Sequence, residues 1–147
     1  MKKNKLFVTE IQQFQKKTDL EIPLVVCKIS AGFPSPADDY IDKKLDLNEF
    51  LIKHPAATFF VKVDGDSMID AGIHSGDILI VDRAVEPTNN CIAVVMLDGE
   101  FTVKRLHIKR KKVYLLPENP DFKPIEIKDE MDCEVWGIVT FVIHKPE

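Results

Sequence analysis

The feature that most constrains this chain is a succession of short β-type runs from residue 58 to the C-terminus. The runs are rich in β-branched and aromatic residues, and Gly, Asp, Asn and Pro separate them. The sharpest turn signal is Asp98-Gly99, a dipeptide preferred in two-residue hairpin loops. The predicted strands are residues 58–63, 78–81, 92–97, 100–106, 113–116, 125–127 and 135–143. Many short strands with little helix predict a mostly β fold class, a compact domain closed into a barrel or sandwich.

A break in this pattern lies at residues 30–37, which read SAGFPSPA. The prolines, glycine and serines of this segment disfavour helix and keep the backbone extended and accessible. We therefore divide the chain into an extended N-terminal arm (1–31), a linker (32–44) and a folded domain (45–147).

The start of the predicted domain carries the clearest helix signal. Residues 45–53 contain closely spaced apolar residues, with Asp46 near the beginning, and His54-Pro55 ends the pattern. A second short, apolar and helix-capable stretch follows Ser67. We expect one or two short helices in all.

Composition limits the classes of function. The chain has 147 residues, 45% of them hydrophobic, which suffices for one modest domain with a core. A formal net charge of −4 does not favour direct sequence-specific DNA binding. Three cysteines without a CxxC pair predict neither a disulfide framework nor a zinc site. No apolar run has the length of a membrane span, and no signal-peptide pattern is seen, so we expect a cytoplasmic protein without membrane contact.

The four histidines, at positions 54, 74, 107 and 144, are scattered along the chain. None has a second histidine at the spacing of a metal-binding motif, and no glycine-rich phosphate-binding motif is present. We therefore expect neither a metal nor a cofactor.

Ser67 is the first candidate for chemistry. It follows the predicted strand 58–63 and the turn Asp64-Gly65-Asp66, and it precedes Met68. Such a turn can expose the hydroxyl while neighbouring backbone N–H groups point the same way, as an oxyanion site requires. Taken alone, a serine after aspartate is more often an ordinary helix N-cap.

Lys104 is the second candidate. On the predicted strand 100–106, alternation places Phe101 and Val103 on one face and Thr102 and Lys104 on the other. An inward lysine would be desolvated, which lowers its pKa and lets the neutral amine take a proton from a serine. The alternative is an exposed lysine beside Arg105.

Three motifs in order carry a resemblance to a known family. They are Gly65-Asp66-Ser67-Met68, the run GDILIVD at residues 76–82 and the run DGEFTVKRL at residues 98–106. Together they resemble the catalytic core of the LexA-like self-cleaving serine peptidases, and most closely the UmuD-like branch. The similarity covers residue 30 to the C-terminus, and the segment GFPSPA at residues 32–37 resembles the cleavage junction of that branch.

The resemblance implies a mechanism and a role. Ser67 would be the nucleophile and Lys104 the base of a Ser–Lys dyad, with backbone support from Asp66 and Met68. The scissile bond would be Ala31-Gly32. In this family a RecA–single-stranded-DNA filament promotes cleavage. The product would form a homodimer and serve a Y-family (UmuC-like) DNA polymerase in the SOS response, for translesion synthesis past DNA damage.

Two departures from the family pattern stand out. Ala31 replaces the cysteine of the most similar branch, although alanine also occurs in LexA-like proteins. Asn90-Cys91 stands where a Gly-Asp pair commonly begins the next strand, which leaves the geometry of that turn open.

Three alternatives remain. A LexA-type or phage-type transcriptional repressor would share the chemistry, but only 31 residues precede Gly32 and they lack a helix-turn-helix pattern. A signal-peptidase-type enzyme would need a membrane anchor. A catalytically inert, polymerase-binding module would retain the serine and lysine without using them.

Overall fold

The computed structural model describes residues 6–17, 21–25 and 41–147, with the backbone alone for residues 21–25 and 41–44. The strands of this part of the chain are β1 (Phe7–Gln13), β2 (Glu21–Val25), β3 (Ile41–Asp46), β4 (Thr58–Asp64), β5 (Ile78–Asp82), β6 (Ile92–Leu97), β7 (Glu100–Lys109), β8 (Lys112–Leu116), β9 (Ile125–Glu126) and β10 (Cys133–Ile143). One short helix, α1 (Leu47–Leu51), and two 3₁₀ turns (Pro55–Ala57 and Ile69–Ala71) complete the elements. The predicted mostly β class is confirmed. Among the described residues, no helix is both long and apolar enough to cross a bilayer.

Eight strands form one sheet in the order β1-β4-β5-β10-β6-β7-β8-β9, and every neighbouring pair is antiparallel. Strand β1 also contacts β7, although four strands lie between them in the sheet. The sheet therefore curls into a half-barrel, as the accumulated twist of many strands favours.

Alternation along the strands builds the core. On β4, Val61 and Val63 are fully buried while Lys62 between them is exposed. Strand β6 instead buries three consecutive residues (93–95), because apolar clusters cover both of its faces. One cluster comprises Leu6, Val61, Val63, Met68, Ile73, Leu79, Val81, Val94 and Val103, and the other Ala93, Val95, Leu106, Leu115 and Ile138.

The turn between β6 and β7 sets the position of Lys104. Asp98 and Gly99 have φ angles of 50° and 84°, so both adopt the left-handed conformation that this two-residue hairpin turn requires. The resulting register pairs Lys104 with Ala93, in the middle of the sheet. The predicted hairpin is confirmed.

The described residues between Gln15 and Lys53 form a compact unit of their own. In it, β2 pairs with β3 in antiparallel fashion, and α1 follows β3 directly. The Asp46 side chain accepts a 2.9 Å hydrogen bond from the Asn48 N–H group and caps the helix, as the sequence predicts.

Candidate active site

Ser67 lies on a turn that is anchored through its carbonyl groups. The Asp66 carbonyl accepts hydrogen bonds from the Ile69 N–H group (3.2 Å) and from the Asn119 side-chain amide (2.9 Å). The Ser67 carbonyl accepts the Glu118 N–H group at 2.8 Å, and the Glu118 carbonyl accepts the Asp70 N–H group at 2.8 Å. The loop after β8 therefore fixes the backbone on both sides of the serine.

The N-cap interpretation of Ser67 is not supported by this geometry. The residue that caps the 3₁₀ turn Ile69–Ala71 is Met68, without a side-chain cap hydrogen bond. The Ser67 hydroxyl is directed elsewhere, to a buried contact with a lysine.

Lys104 Nζ donates a hydrogen bond of 2.9 Å to Ser67 Oγ. Both residues are buried: Ser67 is 0% exposed and Lys104 is 5% exposed. An exposed lysine beside Arg105 was the alternative, and the burial of Lys104 excludes it. The two groups that the sequence singled out are therefore within direct proton-transfer distance in a site shielded from water.

The N-terminal strand supplies the second contact of the serine hydroxyl. The Leu6 N–H group donates to Ser67 Oγ at 3.3 Å, and Leu6 is 1% exposed. Strand β1, which begins at the next residue, pairs with the edge of β4 from Phe7 opposite Asp64 to Gln13 opposite Phe59. A segment far upstream of the predicted cleavage bond thus lies against the candidate nucleophile.

A groove of about 560 Å³ leads to this site. Lys104 lines it, and the other lining residues are Leu6, Phe7, Val8, Leu97, Glu100, Phe101, Thr102, Phe122, Lys123 and Ile125. The lining is largely apolar and comes from the start of β1, the hairpin of β6 and β7, and residues 122–125, which lead into β9. A groove of this character suits an extended, apolar peptide.

Arg105 connects the candidate site to the irregular turn at Asn90. Its guanidinium forms an ion pair with the Glu118 carboxylate and donates a 2.7 Å hydrogen bond to the Asn90 carbonyl. Asn90 itself has a φ angle of 70°, which asparagine tolerates better than most residues. The departure Asn90-Cys91 therefore preserves a left-handed turn before β6.

The structure brings together some of the predicted site residues and does not describe the others. Ser67, Lys104 and the flanking Asp66 and Met68 come together, whereas the cleavage residues Ala31 and Gly32 lie outside the described residues. Sequence reasoning missed Leu6 and the bracing residues Glu118 and Asn119. No local pattern marks these three, because each reaches the site through a pairing distant in sequence.

Comparisons with known proteins agree with the motifs. The profile of the Peptidase S24-like family matches residues 23–140. Protein SamA of Salmonella typhimurium is 47% identical over 131 residues, covering 89% of this chain and 91% of SamA. Protein ImpA of Escherichia coli is 45% identical over 124 residues, covering 84% of this chain and 83% of ImpA. The LexA repressor of Stenotrophomonas maltophilia is 40% identical over 119 residues, covering 81% of this chain but 56% of the repressor.

Proposed function

Because this chain belongs to the Peptidase S24-like family, we propose that it is a serine endopeptidase that cuts its own Ala31-Gly32 bond. In this proposal Ser67 is the nucleophile and Lys104 is the general base. The observation that carries it is the buried 2.9 Å contact between Lys104 Nζ and Ser67 Oγ. A hydroxyl paired with an amine, shielded from water beside a peptide-sized groove, is the arrangement that acyl transfer without histidine requires.

The reaction follows from these groups. The neutral amine of Lys104 takes the hydroxyl proton as Ser67 Oγ bonds to the carbonyl carbon of Ala31. The resulting oxyanion is stabilised by backbone N–H groups of the turn that contains Asp66 and Met68. The lysine then returns the proton to the nitrogen of Gly32, and the peptide bond breaks. Water hydrolyses the acyl-enzyme in the same two steps and regenerates Ser67.

Burial of Lys104 is the reason that this proposal assigns it the role of base. The side chain is 5% exposed and its neighbour on the strand, Val103, is fully buried. Removing water from an ammonium group disfavours its charged form, so burial favours the neutral amine that can accept a proton.

Strand β1 and the cleavage segment compete for Ser67 in this proposal. The Leu6 N–H group already donates to Oγ, and we infer that it must leave when a substrate carbonyl approaches this atom. Release of Leu6 from Ser67 is therefore a necessary step before cleavage, and it provides a point at which an activator can act.

The relatives support a role in SOS mutagenesis. SamA and ImpA match this chain over 91% and 83% of their own lengths, whereas the LexA repressor is matched over 56%. SamA and ImpA are UmuD-like proteins, and their identities of 47% and 45% to this chain, against 40% for the LexA repressor, favour the UmuD-like branch over a transcriptional repressor. We infer that a RecA–single-stranded-DNA filament promotes cleavage in the cytoplasm. We also infer that the product, residues 32–147, dimerises and serves a Y-family polymerase as an accessory subunit.

Incubation of the purified full chain tests the cleavage step. At alkaline pH, and faster with RecA filaments, mass spectrometry should detect a product that begins at Gly32. The variants Ser67→Ala and Lys104→Met should stay intact; methionine keeps most of the lysine volume but has no amine. Lys109→Ala, a change of an exposed lysine on the same strand, is the matched control and should be cleaved normally.

The same experiment separates the peptidase from an inert polymerase-binding module. An inert module stays intact under both conditions, and any slow loss of its N-terminus is equal in wild type and Ser67→Ala. Cleavage of a folded Lys104→Met variant at the wild-type rate would remove the lysine from the mechanism.

A further inference from the structure

Outside the candidate active site, the fold brings together two histidines and a buried aspartate that are distant in sequence. His74 and Asp77 lie in the loop before β5, and His144 directly follows β10. One potential ligand atom from each residue lies within 4.8 Å of the others. The two imidazole rings have centroids 4.7 Å apart, and the Nδ1 atoms of His74 and His144 lie 3.8 and 2.6 Å from oxygens of the Asp77 carboxylate.

Asp77 is the centre of this cluster and is held in position. Its side chain is 3% exposed. One carboxylate oxygen accepts the His74 backbone N–H at 2.8 Å, and the other lies 2.6 Å from His144 Nδ1. A carboxylate fixed by a backbone hydrogen bond is oriented before any ligand arrives, as metal-binding carboxylates commonly are.

His74 provides the observation that points to a ligand. Its Nδ1 atom is buried and, among the described residues, has no hydrogen-bond partner. An oxygen of the Asp77 carboxylate lies 3.8 Å from this atom, beyond hydrogen-bond distance. A buried polar atom without a partner is costly, and a bound ion is one of the recognised ways to satisfy it.

We infer that His74, Asp77 and His144 bind a divalent transition-metal ion, with zinc as the expected occupant. Two imidazole nitrogens and one carboxylate oxygen are ligands that zinc accepts, and three protein ligands leave one tetrahedral position for water. Zinc would take the place of the hydrogen between His144 Nδ1 and Asp77: in a neutral imidazole that hydrogen moves to Nε2, and an imidazolium would release one proton to solvent. The His74 nitrogen then gains a bond that it lacks without the ion.

The proposed ion would join two strands close to the turn that carries Ser67. It ties the end of β10 to the start of β5. The same loop is connected to the end of β4, because the Gly76 N–H group donates to the Val63 carbonyl at 2.8 Å and the Asp77 carbonyl accepts from the Val63 N–H group at 3.1 Å. Zinc would therefore stabilise the folded domain without contacting the candidate nucleophile.

The chain contains its own control for this proposal. His54 Nδ1 lies 2.6 Å from an oxygen of Asp82, a carboxylate that is 5% exposed. This pair has the same contact distance and similar burial as His144 with Asp77, but it does not form part of a three-residue cluster in the described part of the chain. A simple histidine–aspartate pair should not bind zinc tightly.

The test is a zinc titration of the full-length Ser67→Ala chain, which lacks the candidate nucleophile, so the proposed self-cleavage cannot affect the result; mass spectrometry checks that the chain is intact. We expect one zinc per chain in competition with a chromophoric chelator, and a zinc-dependent rise in melting temperature. His74→Gln and His144→Gln should each weaken binding by at least about tenfold and abolish the thermal shift. His54→Gln should bind as the parent does.

Cobalt titration separates this site from adventitious binding by cysteine. Cobalt at the proposed site gives visible d–d bands without a thiolate-to-cobalt charge-transfer band. The proposal is overturned if the parent binds no zinc, if the charge-transfer band appears, or if His74→Gln binds as tightly as the parent. His74→Gln is the decisive variant, because the Nδ1 atom that it removes has no hydrogen bond to lose.

Discussion

Replacing Leu6 by alanine should accelerate self-cleavage, because Leu6 holds strand β1 against the candidate nucleophile. The side chain is 1% exposed and belongs to the main apolar cluster, and its N–H group contacts Ser67 Oγ. Burial of a leucine contributes about 2 kcal/mol, and truncation to alanine removes most of this from the docked state. Since 1.4 kcal/mol corresponds to a factor of ten, the undocked population should rise by about 10- to 30-fold.

The cleavage rate of purified protein at fixed alkaline pH, without RecA, measures this change. If docking of β1 limits the rate, Leu6→Ala should be cleaved about 10- to 30-fold faster than wild type. Glu10→Ala is the matched control, since Glu10 is an exposed residue of the same strand and its removal should leave the rate unchanged. Melting curves of the Ser67→Ala versions establish that each variant remains folded.

A peptide comprising residues 2–13 supplies a second measurement that does not depend on the stability of the variant. A chain lacking these residues should be cleaved rapidly, and the added peptide should slow it by occupying the edge of β4 again. A rate for Leu6→Ala equal to or below wild type, together with no inhibition by the peptide, would refute the idea that β1 restrains cleavage.

Three further predictions follow from single sites. The cleavage rate should rise with pH until Lys104 is fully neutral, and a rate profile that is flat across the alkaline range would contradict its role as base. Gly137→Ala should lower the free energy of unfolding by about 1–3 kcal/mol, because a Cβ atom at this position would lie 2.5 Å from Val81 Cγ1. Urea titrations measure this change. Glu134→Ala, at an exposed position of the same strand, is the control and should have little effect. Burial, followed by the charges of Asp132 and Asp98, raises the pKa of the Cys133 thiol above its ordinary value. In a Cys27→Ser/Cys91→Ser background, Asp132→Asn should therefore shift the pH profile of Cys133 alkylation to lower pH, and an unchanged profile would exclude that charge as a cause.

The sequence predicts those parts of the fold that depend on local patterns. The family inferred from three motifs is confirmed, and so are the hairpin at Asp98-Gly99 and the helix after Asp46. The meeting of Ser67 and Lys104 was predictable from the motifs but not from alternation alone, since alternation does not tell which face of β7 is covered. Burial of Lys104 required the curl of the sheet, which no short segment encodes.

Strand β1 had no convincing sequence signal. Its residues show the burial pattern of an exposed edge strand, with Val8 and Ile11 only partly covered. Such a strand is stabilised mainly by pairing with β4 and by the burial of Leu6 at its start, both of which are contacts between residues far apart in the chain. β-propensity is weak where few side chains pack, so tertiary pairing decides the conformation.

The sequence did not predict the histidine cluster, because the cluster depends on the register between two strands. His144 lies beside Asp77 because β10 pairs antiparallel with β5, with Ile143 opposite Ile78. Strand β10 has two irregularities, one in its pairing with β6 between Val135 and Gly137 and one in its pairing with β5 between Val139 and Phe141. Each extra residue reverses the face on which all later side chains lie. The second extra residue restores the face that the first reverses, and no sequence pattern marks either position. Sequence reasoning therefore saw four isolated histidines where the fold assembles two of them around one carboxylate.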